Sequence, residues 1–153
     1  MADVIVDERG VSPVFGYVLT LGISTLLISG LIIATGGYVD DQRERTSRSE
    51  LRVIGQQVSA DIAAADRLNR TEGASDVVVQ RKLPEGVVGS EYVVRLVNNT
   101  NGPTQPYLRL TTAQPDVTAE VGVTTQTAVI NSSAGGGDIK IRVKSGGIEV
   151  ANG

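Results

Sequence analysis

The residues that carry most enzymatic chemistry are scarce in this sequence. The chain of 153 residues has no Cys and no His, so the commonest general base, the thiolate nucleophile and the soft metal ligands are missing. Asp40-Asp41 is the one adjacent acidic pair after residue 10, and no acidic loop with Ca²⁺ spacing occurs. Gly135-Gly136-Gly137 lacks the lysine and hydroxyl of a P-loop and is interpreted as a hairpin turn. The sequence therefore predicts no catalytic residue, no metal site and no cofactor.

Charge is low and mixed along the chain. The formal net charge of −3 does not indicate a nucleic-acid partner. Lys140, Arg142 and Lys144 alternate with apolar residues, which places three cations on one face of a strand. We interpret this row as a solvated face or a lysine-guarded sheet edge. The alternative is a contact surface for acidic neighbours.

Three Asn-x-Ser/Thr sequences offer candidate N-glycosylation sites, at Asn69, Asn98 and Asn131. All three lie at predicted ends of secondary-structure elements and follow the apolar segment described next. Such sites mark surface positions in exported proteins, so their placement fits an extracellular domain. Chance is the alternative in a chain rich in Asn, Ser and Thr.

One long apolar segment organises the rest of the sequence. No charged residue occurs from residue 11 to residue 39, and Arg9 and Asp40 bound this segment. About 20 apolar residues suffice to cross a bilayer, and a lone segment in lipid must be helical to satisfy its backbone hydrogen bonds. Ser12 can cap the helix and Pro13 suits its first turn. A buried core helix and a cleaved secretory signal are the alternatives, but the segment is too long and too apolar for either.

The start of this segment carries a recognisable motif. Glu8-Arg9-Gly10-Val11-Ser12-Pro13-Val14-Phe15-Gly16 resembles the start of archaeal type IV pilins, especially those of haloarchaea. That family has a class III (prepilin-type) signal sequence that ends in a basic and a small residue. The resemblance implies that a prepilin peptidase cuts after Gly10, next to Arg9, and leaves Val11 as the mature N-terminus. It also implies residence in the cell membrane and assembly with copies of the chain or with other pilin-like subunits.

Small residues recur along the apolar segment. Gly22, Gly30 and Ala34 are the strongest candidates for helix packing, and Gly30-x-x-x-Ala34 has the spacing that lets helix backbones approach closely in apolar surroundings. We therefore expect helix–helix packing in a filament core. The alternative is that Gly is simply commoner in membrane helices.

Residues 40–70 continue the helix with an amphipathic pattern. Apolar residues recur every three or four positions, which is the spacing of one helix face, and we expect this face to lie on a folded domain. One helix is thus predicted from about Ser12 to about Asn69, with Gly73 as its stop. The apolar face comprises Leu51, Ile54, Val58, Ile62, Ala65 and Leu68, and the charged face comprises Arg43, Glu44, Arg48, Arg52, Asp61, Asp66 and Arg67.

The remainder, residues 71–153, changes to the period of strands. Short alternating runs are separated by turns rich in Gly, Asn and Pro, which indicates an antiparallel sheet or a small sandwich. Leu83-Pro84 with Gly89 and Tyr92, and Gly136-Gly137 with Ile139 and Ile141, resemble a pattern that recurs in uncharacterised haloarchaeal pilin-like proteins. The predicted strands are residues 77–80, 91–97, 107–111, 117–123, 127–130, 139–143 and 148–150.

The predicted fold class is therefore α+β. After a leader of residues 1–10, a membrane-spanning or filament-core half-helix (11–39) and an amphipathic half-helix (40–70) precede a small β domain (71–153). The resemblance predicts a structural, non-enzymatic subunit of a type IV pilus-like filament used in adhesion or surface attachment. The alternative is a single-pass membrane-anchored β domain that binds a partner and never polymerises.

Two signals disagree about the side of the membrane on which the β domain lies. The leader motif predicts an extracellular domain. The positive-inside rule predicts a cytoplasmic one, because only Arg9 precedes the apolar segment whereas Arg43, Arg45, Arg48 and Arg52 follow it. We favour the extracellular domain because the motif is more specific than a count of charges.

Overall fold

The structure is a computed structural model that describes residues 11–72, 76–99 and 105–153. The chain divides into two compact units, Met1–Asp41 and Gln42–Gly153. The predicted leader, including Arg9 and Gly10, and the predicted helix stop at Gly73 lie outside the described residues.

A single long helix, α1, runs from Val11 to Glu72. Its bounds agree with the prediction because the sequence between them contains proline only at the permissive first turn, Pro13. In the first unit, the described part is entirely helical and its side chains from Pro13 onward are exposed. In the second unit, the helix packs on antiparallel sheets. The predicted α+β class, with a long N-terminal helix on an antiparallel β domain, is confirmed.

Eight short strands follow the helix in the described part of the second unit. Their burial alternates along most of their length because successive side chains of a strand point to opposite faces. The strands are β1 (Val77–Lys82), β2 (Gly86–Val87), β3 (Ser90–Val97), β4 (Tyr107–Ala113), β5 (Asp116–Gly122), β6 (Ser132–Gly135), β7 (Asp138–Lys144) and β8 (Gly147–Asn152).

The strands make two antiparallel sheets. The smaller sheet has the order β1-β7-β8 and the larger has the order β2-β3-β4-β5, with β6 also paired to β3. The segment before β6 joins the two sheets: the Ile130 amide donates to the Ile148 carbonyl at 2.9 Å, and the Ile148 amide donates to the Ala128 carbonyl at 2.8 Å. Polar side chains strengthen this junction, because Ser132 Oγ accepts the Val150 amide and Asn152 Oδ1 accepts the Gly135 amide.

One hydrophobic core unites the helix and both sheets of the second unit. The helix supplies the predicted apolar face, but Ala65 is its last buried apolar residue, and Leu68 is 45 % exposed. Because the chain has one Phe and no Trp, aliphatic side chains fill this core around the single buried aromatic ring of Tyr92. Its main members are Leu51, Ile54, Val58, Ile62, Ala65, Tyr92, Val94, Leu96, Leu108, Leu110, Ile139, Ile141, Val143, Ile148 and Val150.

One predicted strand is wrong. Residues 127–130 make only an isolated parallel bridge, Val129 with Ile148, and the strand of this region is β6, which begins at Ser132. The physical reason is that the amides of Gln126 and Thr127 donate to the Asp66 carboxylate on the helix rather than to a neighbouring strand. The predicted Gly135–Gly137 turn is correspondingly shorter, since β6 runs to Gly135.

Candidate functional site

The apolar half of α1 presents a surface with no partner among the described residues. Every side chain from residue 13 to residue 41 is exposed, and Leu26 and Ile33 are exposed by 74 % and 78 %. A soluble helix hides its apolar residues on one face, whereas here they surround the helix. By length and composition, α1 is a candidate membrane span. Exposed apolar surface of this extent marks a membrane or a protein–protein contact.

The threonine hydroxyl groups of this apolar surface are already hydrogen-bonded within the helix. Thr20 Oγ1 donates to the Gly16 carbonyl and Thr25 Oγ1 to the Leu21 carbonyl, each at 2.8 Å. Thr35 Oγ1 lies 3.0 Å from the Leu31 carbonyl. Because an unpaired hydroxyl is costly in hydrocarbon, these local bonds suit the helix to lipid or to a packed helical core.

The predicted packing residues lie on this surface with free space above them. A Cβ atom built on Gly22 or Gly30 meets nothing within 4 Å, and Ala34 is exposed. The helix backbone is therefore accessible at Gly30 and at Ala34 one turn later, which permits close approach of a second helix. Of the predicted processing residues, Val11 begins α1.

The amphipathic half of α1 contacts the larger sheet closely at one position. A Cβ atom at Gly55 would lie 2.7 Å from Val121 Cγ2 and 2.9 Å from Leu110 Cδ1. Four residues later, Ser59 Oγ donates to the Gly122 carbonyl at 2.9 Å. Gly55 thus allows the helix to approach β4 and β5, and Ser59 bonds it to the end of β5.

A buried carboxylate joins the end of the helix to the loop after β5. Asp66 is 2 % exposed, and its carboxylate accepts the backbone amides of Gln126 and Thr127 at 3.2 Å and 3.1 Å. It also accepts the Thr127 hydroxyl and lies 3.3 Å from the Arg70 guanidinium. Burial raises the pKa of Asp66, but the hydrogen bonds from Thr127 and Gln126 and the charge of Arg70 outweigh it, so the pKa is lowered overall.

A second carboxylate of the helix ties it to the smaller sheet. Asp61 is 8 % exposed, and Arg81 of β1 donates to both of its oxygens, with Nε 2.6 Å from Oδ2. The carboxylate raises the pKa of Arg81 through these hydrogen bonds and its charge. The prediction that Asp61 and Asp66 belong to the charged face opposite the apolar one is therefore wrong, since both are buried. They flank the apolar stripe at Val58, Ile62 and Ala65, where the sheets cover them.

Residues of the Leu83-Pro84, Tyr92 and Gly136-Gly137 pattern lie together in one hydrogen-bonded cluster. Tyr92 donates its hydroxyl to the Pro84 carbonyl at 2.8 Å, and the Gly136 amide donates to the Tyr92 carbonyl at 2.9 Å. The Leu83 amide donates to the Gly137 carbonyl at 3.2 Å, and the Gly137 amide donates to the Pro84 carbonyl at 3.0 Å. A Cβ atom at Gly136 would lie 2.7 Å from the Glu85 carbonyl, so glycine is required there by close approach. These hydrogen bonds join the segment after β1 to β3 and to the turn between β6 and β7.

The row of Lys140, Arg142 and Lys144 lies on β7, the central strand of the smaller sheet. The expectation of a lysine-guarded edge is therefore wrong. Lys144 Nζ lies 2.7 Å from Glu149 Oε1 and Arg142 lies 4.0 Å from the same atom, so Glu149 partly neutralises the row. The solvated-face interpretation fits this arrangement.

The three candidate glycosylation sites have different surroundings. Asn69 is half-buried near the end of α1, Asn98 is half-buried just after β3, and Asn131 is exposed just before β6. Asn131 Oδ1 accepts the Asn98 amide at 2.6 Å. Thr100, the hydroxyl residue of the second sequence, lies outside the described residues. Within the described ranges, no group of three acidic residues has a metal-binding arrangement.

Sequence comparison places the chain in one family. Residues 6–151 match the model of the Family of unknown function (DUF7266), so the chain belongs to that family. The match includes both the apolar half of α1 and all but the end of the β domain. No curated protein and no solved structure matches the chain.

Proposed function

We propose that this protein is an archaeal type IV pilin-like subunit of a surface filament. The observation that carries the proposal is the contrast within α1. Residues 13–41 are exposed on all sides, whereas from Leu51 to Ala65 one face is buried in a β domain. An exposed apolar half-helix and a folded domain in one chain suit a subunit that rests in lipid and then packs with its neighbours.

The transfer from membrane to filament has a simple energetic basis. Apolar side chains leave lipid at little cost if the helices of neighbouring subunits cover them instead. Close approach at Gly30 and Ala34 would maximise van der Waals contact between those helices. In this proposal, a prepilin peptidase cuts between Gly10 and Val11, the β domain is extracellular, and the subunit needs no catalytic residue, cofactor or nucleic acid.

A second candidate function is a single-pass membrane protein whose β domain binds a partner without polymerising. The arginines at 43, 45, 48 and 52 favour it, because their position immediately after the apolar segment is typical of a cytoplasmic flank. This alternative predicts an uncut leader and a cytoplasmic β domain.

One measurement separates the two candidates. The intact mass and N-terminal sequence of the protein from its native membranes should show a start at Val11, and this start should disappear when the prepilin peptidase is deleted. Sheared filaments should contain the same trimmed chain. A start at Met1 or Ala2 would overturn the filament proposal and favour the membrane-anchored domain.

A further inference from the structure

Two adjacent cavities of opposite charge lie along β3 in the second unit. The basic cavity has a volume of about 410 Å³ and is lined by Arg95, Arg109, Asn131 and Ser133 among others. The acidic cavity has a volume of about 860 Å³ and is lined by Glu85, Glu91 and Asp138, with Lys82 as its one cation among the described residues. Glu91 and Arg95 lie on the same exposed face of β3, four positions apart. At the rise of a strand, their Cα atoms are therefore roughly 13 Å apart.

The basic cavity contains two neighbouring arginines, Arg95 and Arg109, of which only Arg109 has an acidic partner within the described residues. Arg95 and Arg109 are direct partners in the register of β3 and β4, and like charges in that position repel each other. Arg109 is oriented by Glu120, at 2.9 Å, and by the Tyr107 hydroxyl, at 3.0 Å. Arg95 makes no ion pair within the described residues. The Ser133 position, opposite Arg95 on β6, adds a hydroxyl to the same row.

The acidic cavity offers the complementary groups. Glu85, Glu91 and Asp138 are exposed, and none of them makes an ion pair within the described part of the chain. An arginine holds a carboxylate through two parallel hydrogen bonds, which fixes orientation as well as energy. The two cavities therefore match in charge and chemistry, and the roughly 13 Å between the Cα atoms of Arg95 and Glu91 disfavours pairing of these two residues within one copy.

We infer that the basic cavity of one copy binds carboxylates from the acidic cavity of a second copy. This inference rests on the proposed filament, in which the apolar helices supply most of the contact area. The ion pairs add specificity by setting how neighbouring β domains align, since charged contacts favour one register over others. Each contact is exposed and weak alone, but it repeats at every subunit.

Charge reversal tests the contact. Arg95→Glu should reduce sheared filaments roughly tenfold because a like-charge contact replaces an attraction between copies. The same change places opposite charges across β3 and β4, so the β domain should unfold at the same or a higher temperature, and misfolding cannot explain the loss. Lys140→Glu, which makes an equal charge change on the other sheet, is the control and should leave filaments unchanged.

Rescue makes the test specific. A second substitution in the acidic cavity should restore filaments of the Arg95→Glu variant to within about twofold of the wild-type amount. The three double variants to test combine Arg95→Glu with Glu85→Arg, Glu91→Arg or Asp138→Arg, and at least one of them should show this rescue. Normal filaments from the Arg95→Glu variant, or failure of all three rescues, would overturn the inference.

A cross-linking readout separates this inference from the filament proposal. The chain has no Cys, so Glu91→Cys with Ser133→Cys introduces the only two thiols. These positions are too far apart on their strands for a disulfide within one copy. Mild oxidation of native membranes should give a ladder of linked copies, whereas Glu91→Cys with Lys140→Cys should not. A ladder without filaments would reject the filament function but keep the contact, and filaments without a ladder would reject the contact alone.

Discussion

Thr127 donates both its backbone amide and its hydroxyl to the carboxylate of Asp66, sixty-one residues earlier on the helix. This contact ties the helix to the sheets in the second unit. Asp66 lies near the end of the buried helix face, and Thr127 lies on the segment that joins the two sheets. The Gln126 amide and Arg70 complete the surroundings of the carboxylate. The helix and the sheets are thus joined by a charged hydrogen-bond network as well as by the apolar core.

Asp66→Asn should destabilise the β domain by about 1–3 kcal/mol, because the amide group presents a donor to the buried donors of Thr127 and Gln126. Urea unfolding of the full chain in mild detergent, followed by circular dichroism, measures the change. Asp116→Asn at the exposed start of β5 is the control and should shift stability by less than about 0.5 kcal/mol. Equal effects from the two variants would contradict the role of the network.

The same carboxylate should make stability depend on pH. The pKa of Asp66 is lower in the folded than in the unfolded chain, so its contribution is complete above the ordinary value of about 3.9 and is lost as pH falls below it. Thermal unfolding midpoints of the wild-type protein and Asp66→Asn should therefore converge in acid. A difference between them that stays constant from neutral pH to well below the ordinary pKa would show that Asp66 is not the responsible group.

Gly55→Ala should destabilise the β domain by about 1–3 kcal/mol, although alanine is the better helix former. The added Cβ would lie 2.7 Å from Val121 Cγ2 and 3.3 Å from Val121 Cβ, and a branched side chain close to its own backbone has little room to move. Gly37→Ala is the matched control, because its Cβ meets nothing within 4 Å. Urea unfolding should show a loss for the first variant and none for the second.

Gly30→Leu should reduce filament assembly without unfolding the β domain. The new side chain would occupy the open space above Gly30 and separate two helices that pack at Gly30 and Ala34. Counts of filaments by electron microscopy, with unfolding of the β domain as the folding check, measure both effects. Ile33→Leu keeps the side-chain volume on the same helix and should assemble normally, whereas normal assembly of Gly30→Leu would exclude close packing at this site.

Local sequence pattern predicted the helix, its buried face and most of the strands, because each of these can be identified from the spacing of nearby residues. The uncharged segment from residue 11 to residue 39 predicted the exposed apolar helix, and the spacing of Leu51, Ile54, Val58, Ile62 and Ala65 predicted the face that is buried. Alternation of apolar residues located most strands. These signals succeed because helix and strand periodicity are properties of neighbouring residues.

Tertiary contacts decided what periodicity could not. Asp61 and Asp66 have the residue type of a solvated face, yet both are buried because Arg81, Gln126 and Thr127 reach them from distant parts of the chain. The backbone amides of Gln126 and Thr127 donate to the Asp66 carboxylate and not to a neighbouring strand. The predicted strand at 127–130 is therefore absent, and the strand of this region is β6. A buried carboxylate needs hydrogen-bond donors. Which donors lie close enough depends on how the sheets pack on the helix, and the local sequence pattern does not show this.

The sequence by itself determined an apolar half-helix, an amphipathic half-helix and a strand-rich remainder, because each follows from short-range spacing of residue types. Only the tertiary structure decided that Gly55 lies against Val121, that Arg95 faces Arg109 across two strands, and that basic and acidic cavities follow one another along β3. The physical reason is that strand register and helix-to-sheet distance bring together residues far apart in the chain, and short-range spacing carries no information about either.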